Sequence, residues 1–547
     1  MGDPIGLLEE WLTYVNVQLL GLKPVRLNLV KTVLLTLGSG LLLWVAISGS
    51  SERTIDSFLK RVRRVPIWKI ITAISILLTV VVSYLSLKQY YTYTAASYDL
   101  AIYANTLWHV VHGPLFFDSL HNGNFLGDHF VPVLAIFAPV YALWESPVWL
   151  LVGQAVALGA GAVAVGLLAQ RLTGSPIIVL VSLLLYVFNP YLHLIAESDF
   201  HAMALAIPVF LWILYCLDTE RYWLVAALSV LALCIEESQP PGVVGVGLYL
   251  LCFRPKLRWM GTGLLVGGAL FFIVQVTVLM PYLSNEGLLH WFRYSNLGPD
   301  FKTAVYNLAT NPFFLIHEAL LKDYKALYVA ALLYSVGFLP LLAWREATLL
   351  VLPALLMLLS QHGGLYKFGH HYSAGVLPFL FYSAMCGLAT LKGMLERRDL
   401  TVLRSNRILG VLFLALLINN IYLAKWPRLS RIDAAHTAAI NRVLAEVPSS
   451  ASVRVEGNML AMLSSRHRIA PLAVSIEENF GWWRPDCIVF DFKMVEQDSR
   501  LLSARKALMD YLTGTHEYRL RDEQDGVVLL ALVEPSPGGH ARSTTQP

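Results

Sequence analysis

Long apolar runs separated by short polar breaks fill the chain from Leu27 to about Ala424, without the strict alternation of a half-buried strand. Backbone polar groups in lipid must be satisfied within the segment, so runs of this length read as membrane helices. They are expected at roughly 27–48, 70–87, 148–170, 176–195, 201–217, 222–236, 240–253, 259–281, 325–343, 347–360, 373–391 and 408–424, about twelve spans in all. From Lys425 the pattern changes. Charges mix with Pro and Gly, and helical stretches alternate with short runs such as "SVRVE", "DCIVFDF" and "GVVLLALV". This predicts a small α/β domain of helix, strand, helix, strand, helix and a closing strand pair over 425–535, then a disordered tail at 536–547.

Basic residues orient the spans. "SERTIDSFLKRVRRVPIWK", "RPKLR" (254–258) and "KGMLERRDLTVLRSNR" (392–407) collect Lys and Arg, which places them in the cytoplasm. Residues 1–87 then form an N-terminal region of two spans and a basic linker. Residues 88–424 form the transmembrane core, whose first extracytoplasmic loop (88–147) nearly lacks Lys and Arg. Within that loop "YDLAIYANTLWHVVHG" has helical spacing and predicts an amphipathic helix at the interface. The same alternation puts the C-terminal domain outside the cytoplasm, in a multi-pass protein of the plasma membrane. The first basic residue, Lys23, follows Glu9 and Glu10, unlike a cleavable signal peptide.

Composition supports this reading and narrows the function. Hydrophobic residues make up 56% of the 547 and charged ones 14%, which excludes an ordinary soluble enzyme. The net charge of +4, with no basic run interleaved with aromatics, gives no ground for nucleic-acid binding. The five cysteines are scattered and suggest neither a disulfide framework nor a Cys metal site.

The compact polar motifs all fall at the extracytoplasmic ends of spans: "SYDL" with Asp99, "GDHF" with Asp128 and His129, "ESDFH" with Glu197, Asp199 and His201, "IEES" with Glu236 and Glu237, and "KFGHHY" with Lys367, His370 and His371. Each has a plain structural reading. Asp99, Asp128 and Asp199 can cap helices, His129 and His201 can bond a nearby carbonyl, and Glu236 and Glu237 can be solvated ends. Solvated ends should scatter over both faces, and these do not, so a polar cavity on one face is expected. Such a cavity suits a carboxylate general base, an Asp/His site for Mg²⁺ or Mn²⁺, and cations balancing a phosphate, for which Arg293 and Lys367 are available. Trp291, Phe292 and Tyr294 read as interfacial aromatics in preference to a sugar platform.

The order of "YDLAIYANTLWHVVHG", "LGDHFVPVLAIFAPVYAL", "NPYLHLIAESDFHAMALAIP", "GLYLL", "RYSNLG" and "HHYSAGVLPFL" resembles a family of uncharacterised prokaryotic membrane proteins known only as a domain of unknown function, over about residues 90–530. That family in turn resembles the GT-C class of membrane glycosyltransferases, which implies an α-helical polytopic membrane protein with a small C-terminal α/β extracytoplasmic domain. It also implies a donor sugar on polyprenyl phosphate and gives Asp99 the position of the catalytic acid or base. Asp128, His129, Asp199 and His201 would line the cavity with Glu236, Glu237, His370 and His371. Arg293, with Lys367 or His371, would balance the lipid phosphate, and Asp99, Asp199 and His201 would ligate any metal. The family pattern Lys-Glu-Asp is here Ile235, Glu236 and Glu237, so no lysine stands at that site. Two other classes fit the same pattern: a lipid or solute transporter or flippase, with Asp199 and Glu236 carrying protons, and a non-catalytic assembly or sensor protein working through its tail, where Trp482, Trp483 and Arg484 are the most contact-like residues.

Overall fold

The computed structural model describes residues 64–533 except 95–96, 285–287, 324, 367–369, 398–412, 422, 424–432, 476–477 and 480–482. The expected span at 27–48, residues 408–412, 422 and 424 of that at 408–424, Lys367, Trp482 and the tail lie outside the described residues. By its internal contacts the chain divides into two compact units: Met1–Ser86 with Asn124–Ile136 and Leu150–Arg428, and Leu87–Gly123 with Phe137–Trp149 and Leu429–Pro547.

The first unit is helical. Among the described residues four helices are long and apolar enough to cross a bilayer: Ile67–Tyr91, Val148–Thr173, Pro255–Ser284 and Leu377–Glu396. The expected span at 176–195 is two helices, Pro176–Val187 and Pro190–Glu197, bent by 47°. Pro190 offers no N–H to continue the first helix, and the Asn189 side chain accepts from the N–H groups of Tyr191 and Leu192, which starts a second one. The remaining expected spans appear as shorter apolar pieces such as Ala202–Asp218, Tyr222–Leu233, Pro240–Phe253 and Lys325–Tyr334. The run predicted to continue to 343 ends early because Gly337 and Phe338 take left-handed backbone conformations at φ 66° and 54°. Helices Pro240–Phe253 and Arg258–Val274 touch backbone to backbone: a Cβ on Gly247 would meet Leu265 N at 2.6 Å and Gly261 O at 2.8 Å, a close approach that only small residues allow.

The second unit joins residues 87–123 and 137–149 to the C-terminal residues, so the expected first loop folds with the tail except for its residues 124–136, which belong to the first unit. "YDLAIYANTLWHVVH" is helical as predicted, Tyr98–His112, but nine of its fifteen residues are buried, more than an interfacial helix would bury. Its Asn105 donates through Nδ2 to the carbonyls of Ser464 and Arg466 at 2.9 and 2.8 Å. Five strands form one sheet: β1 (Val453–Val455), β2 (Ile469–Pro471), β3 (Cys487–Asp491), β4 (Tyr518–Gln524) and β5 (Val527–Leu532), in the order β2-β1-β3-β5-β4. β1 pairs parallel with β2 and β3, and β5 runs antiparallel to β3 and β4. The sequence did not announce β2, three residues ending in a proline that only an edge strand tolerates. The closing hairpin turns at Asp525 and Gly526, both at positive φ, as a two-residue Asp-Gly turn requires. The sheet core joins Ile488, Phe490, Val528 and Leu530 to Leu508 and Leu512 of helix Ser499–Gly514. A buried bidentate pair, Arg505 to Glu456 at 2.8 and 2.9 Å, ties that helix to the residue after β1. Trp483 lies under the Arg454 guanidinium, and Arg484 pairs with Glu517 at 2.8 Å.

Candidate functional site

Three loops of the first unit meet around "GDHF" and "IEES". The short helix Phe125–Asp128 is capped by Asn124, whose side chain accepts from Leu126 N–H, and the chain then extends at His129. Val133 N–H donates to Cys234 O at 2.9 Å, pinning the segment after His129 to the turn that ends helix Tyr222–Leu233. The turn presents Glu236 and Glu237, and His129 Nδ1 donates to Glu237 Oε1 at 2.9 Å. Phe130 N–H donates to the other oxygen at 3.0 Å, and Glu236 Oε1 lies 3.7 Å from His129 Nδ1. Neither glutamate is a solvated helix end, and His129 has a carboxylate rather than a carbonyl as its partner.

The third loop is the 3-10 turn Leu289–Tyr294, where residues three apart eclipse, so His290 and Arg293 lie on one side. His290 Nε2 is 2.8 Å from Asp128 Oδ1, and the His290 ring lies 4.7 Å from that of His129. Asp128 therefore faces a histidine instead of capping a helix. Backbone bonds hold the turn: Arg293 O accepts from Gln361 N–H at 2.8 Å and Ser360 Oγ at 3.0 Å. The fully buried Lys325 donates to Ser360 O at 2.9 Å and Glu318 O at 2.7 Å. "ESDFH" is anchored by the buried Gln154, whose Oε1 accepts from His201 N–H at 2.9 Å. His201 makes the local bond that a structural histidine makes, from Nδ1 to Asp199 O at 2.8 Å, and also stacks on His371 at 3.4 Å between ring centroids.

Charge follows this packing. Burial alone would lower His129, but the Glu237 carboxylate, by charge and by hydrogen bond, with Glu236 and Asp128, raises it to about 9. Glu237 is held below its ordinary range, because His129 outweighs the burial that would raise it. Glu236 is raised, by burial first and by the neighbouring Glu237 second. Burial lowers His371 well below the usual histidine value, and His201, His370, His129 and Arg293 push the same way. Six of the expected residues are thus linked electrostatically in a chain: Asp128, Glu236 and Glu237 act on His129, His201 acts on Glu236, and His129 and His201 act on His371, as do Arg293 and His370.

Asp99 sits in the first turn of helix Tyr98–His112 in the second unit, where its charge favours the helix dipole, and the cap residue is Ser97. Among the described residues two trios offer ligand atoms within 4.8 Å of one another: Asp128, His129 and His290, and His129, Glu236 and Glu237. Neither contains the ligands expected from the sequence, Asp99, Asp199 and His201. His201 is turned to a carbonyl and stacked on His371, and Asp99 belongs to the other unit. His290 was missed. It sits three residues before Arg293 in an aromatic stretch, and that spacing was its one available signal.

A cavity of about 330 Å³ opens beside this cluster. Glu236, Glu237, Gln239, His290, Arg293 and Tyr372 form its polar end; Phe272, Val276, Met280, Leu297, Phe301, Val305, Leu308, Leu356 and Met357 continue it as an apolar wall. Arg293 is the sole Arg or Lys on that lining among the described residues, and its Nε is buried with no hydrogen-bond partner.

Apolar helices of bilayer-spanning length and a half-polar cavity in a helical unit define a membrane protein. The chain belongs to the family described as "Predicted membrane protein (DUF2079)", whose model matches residues 89–529. No curated protein matches it significantly. Among solved structures it is similar to ArnT from Cupriavidus metallidurans bound to undecaprenyl phosphate, at 13% identity and TM-score 0.45. It is also similar to the apo state of that protein, at 14% and 0.40; each match covers 84% of this chain and 98% of the other.

Proposed function

We propose that the protein is a membrane glycosyltransferase that takes its sugar from a polyprenyl phosphate and transfers it to an extracytoplasmic acceptor, with the C-terminal domain on that same side. The observation that carries the reading is the cavity, which joins the half-buried Arg293, whose Nε is buried with no hydrogen-bond partner, to a long apolar wall. An amphiphile with a single anionic head and a branched hydrocarbon chain matches both ends, and 330 Å³ is enough for the head and the first part of the chain. Arg293 would hold the phosphate by charge-assisted hydrogen bonds. Its backbone is fixed through Ser360, Gln361 and Lys325, so little ordering remains to be done on binding.

In the reaction the acceptor oxygen bonds to the sugar's anomeric carbon, the bond from that carbon to the phosphate oxygen breaks, and polyprenyl phosphate leaves with the electron pair. A carboxylate takes the acceptor proton, a contribution of about 10² to 10⁴ in rate. Resemblance to the GT-C class assigns that role to Asp99, and Asp99→Asn tests it separately: abolished transfer with unchanged folding supports the role, and full activity removes it.

The reading is tested by binding of polyprenyl phosphate to the purified protein in nanodiscs. Arg293→Ala should weaken binding about 10- to 100-fold, the equivalent of losing one charge-assisted contact of about 1.5–3 kcal/mol. Dolichol-like alcohol without the phosphate should bind weakly to both forms. Equal phosphate-lipid affinity in wild type and variant would remove Arg293, and with it the cavity, from the proposal. A transporter would need this cavity to open to both membrane faces in turn, and no observation favours that.

A further inference from the structure

We infer that Asp128, His129, Glu236, Glu237 and His290 form a binding site for one divalent transition-metal ion, of the Zn²⁺ or Mn²⁺ class. The two ligand trios share His129, so an ion bound through its imidazole has either a Glu236–Glu237 or an Asp128–His290 pair beside it. Donor atoms about 2.0–2.2 Å from zinc in a tetrahedron stand roughly 3.4 Å apart. Within each trio the ligand atoms here lie within 4.8 Å of one another, so a contraction of about 1.4 Å brings a trio to that spacing.

The hydrogen bonding points the same way. Glu236 is 7% exposed, and its Oε2 is buried with no hydrogen-bond partner. A buried carboxylate oxygen left unpaired is costly, and a cation satisfies it. Both ring nitrogens of His290 are likewise buried and make no hydrogen bond of good geometry, although Nε2 is 2.8 Å from Asp128 Oδ1. His129 and Glu237 pair with each other at 2.9 Å, but Glu236 Oε2 and the His290 nitrogens stay unsatisfied beside them, as ligands around an ion do. Glu237 also has outer support, since Phe130 N–H fixes its Oε2.

Two imidazoles with three carboxylates select against Mg²⁺ and Ca²⁺, which prefer all-oxygen shells, and in favour of Zn²⁺ or Mn²⁺. Glu236, Glu237 and His290 also line the cavity, so the ion would add positive charge to the end that holds Arg293. The metal assignment does not depend on the proposed reaction.

The test is metal content by plasma mass spectrometry of the full-length protein, purified without chelator, and then uptake of ZnCl₂ or MnCl₂ after stripping. Expected are about one equivalent per chain in the wild type, retained in excess Mg²⁺, a fall to under about a tenth in Glu237→Gln and in His129→Ala, and no change in His436→Asn in the other unit. The near-isosteric Glu237→Gln guards against unfolding, and its melting temperature should not rise with added metal, whereas the wild type's should. A wild type that neither carries nor takes up metal at micromolar concentration would overturn the inference, as would stoichiometric metal retained in both ligand variants. Loss of polyprenyl-phosphate binding in Arg293→Ala with metal retained would leave both conclusions standing, so the two fail separately.

Discussion

Gly127 precedes Asp128 and His129 in the short helix Phe125–Asp128, and its Cα faces the backbone of the chain at Leu283 and Ser284. A methyl group there would stand 2.7 Å from Ser284 Cα and 2.8 Å from Leu283 C, where ordinary contact begins at 3.4 Å. Those are backbone atoms, and Ser284 N stands closer still, so no side chain can swing aside and the two segments must part by about 1 Å. Misplacing reacting or binding groups by about 1 Å costs on the order of 10²-fold in rate. Gly127→Ala should therefore lower in-cell product about 10- to 100-fold while costing only the ~1–3 kcal/mol typical of overpacking. Gly263→Ala is the matched control, since a Cβ there meets nothing within 4 Å. The assay is mass spectrometry of envelope glycolipids in a deletion strain carrying each variant, normalised to protein in the membrane. Wild-type product from Gly127→Ala at wild-type protein level would show that the placement of Asp128 and His129 does not matter, and would refute the site.

Glu456→Ala leaves the Arg505 guanidinium buried and uncompensated, and should destabilise the second unit by about 3–5 kcal/mol. Glu456→Met with Arg505→Leu should recover most of that, read by urea titration of local proteolysis in the full-length protein; a single variant within 1 kcal/mol of wild type would contradict it. Asp433 and Asp525 both titrate below the usual 3.8, Asp433 chiefly through the His436 N–H that it caps and Asp525 chiefly through Lys493. Their contribution is therefore complete above the unfolded value and lost as pH falls through the lowered folded one. Hydrogen-exchange protection of helix Ala434–Ala445, corrected for intrinsic rate, should hold from pH 6 to about 5 and fall below about 4; Asp433→Asn with Asp525→Asn should flatten that fall, and an unchanged profile would exclude the cluster.

The apolar pattern made the long helices legible, because continuous hydropathy and helical spacing need no partner to be read. Ile67–Tyr91, Val148–Thr173 and Tyr98–His112 lie where the pattern placed them. It hid the break at Asn189-Pro190, since apolar residues run unbroken on both sides. It also gave Lys325 only as the edge of a span, whereas the residue is a buried clamp on two carbonyls. Asp128, His129, Glu236 and Glu237 stood out because charge is costly beside membrane helices. Their pairing did not: His129 and Glu237 are 108 positions apart, and the Val133 to Cys234 bond that joins their segments carries no side-chain signature. The first loop lies next to the core in the chain, and its residues 124–136 do fold with it, but Asn105 and the rest of its helix are spent on the C-terminal residues, which no local pattern shows.

The central claim is that this cavity serves a sugar carried on polyprenyl phosphate. It is tested most directly by lipid extracts of a deletion strain complemented with the wild type or with Arg293→Ala. The account predicts that the deletion and the variant both accumulate a glycosylated polyprenyl phosphate and lack one glycosylated envelope species, which the wild type restores. Unchanged donor lipid and unchanged envelope glycans in the deletion strain would contradict it.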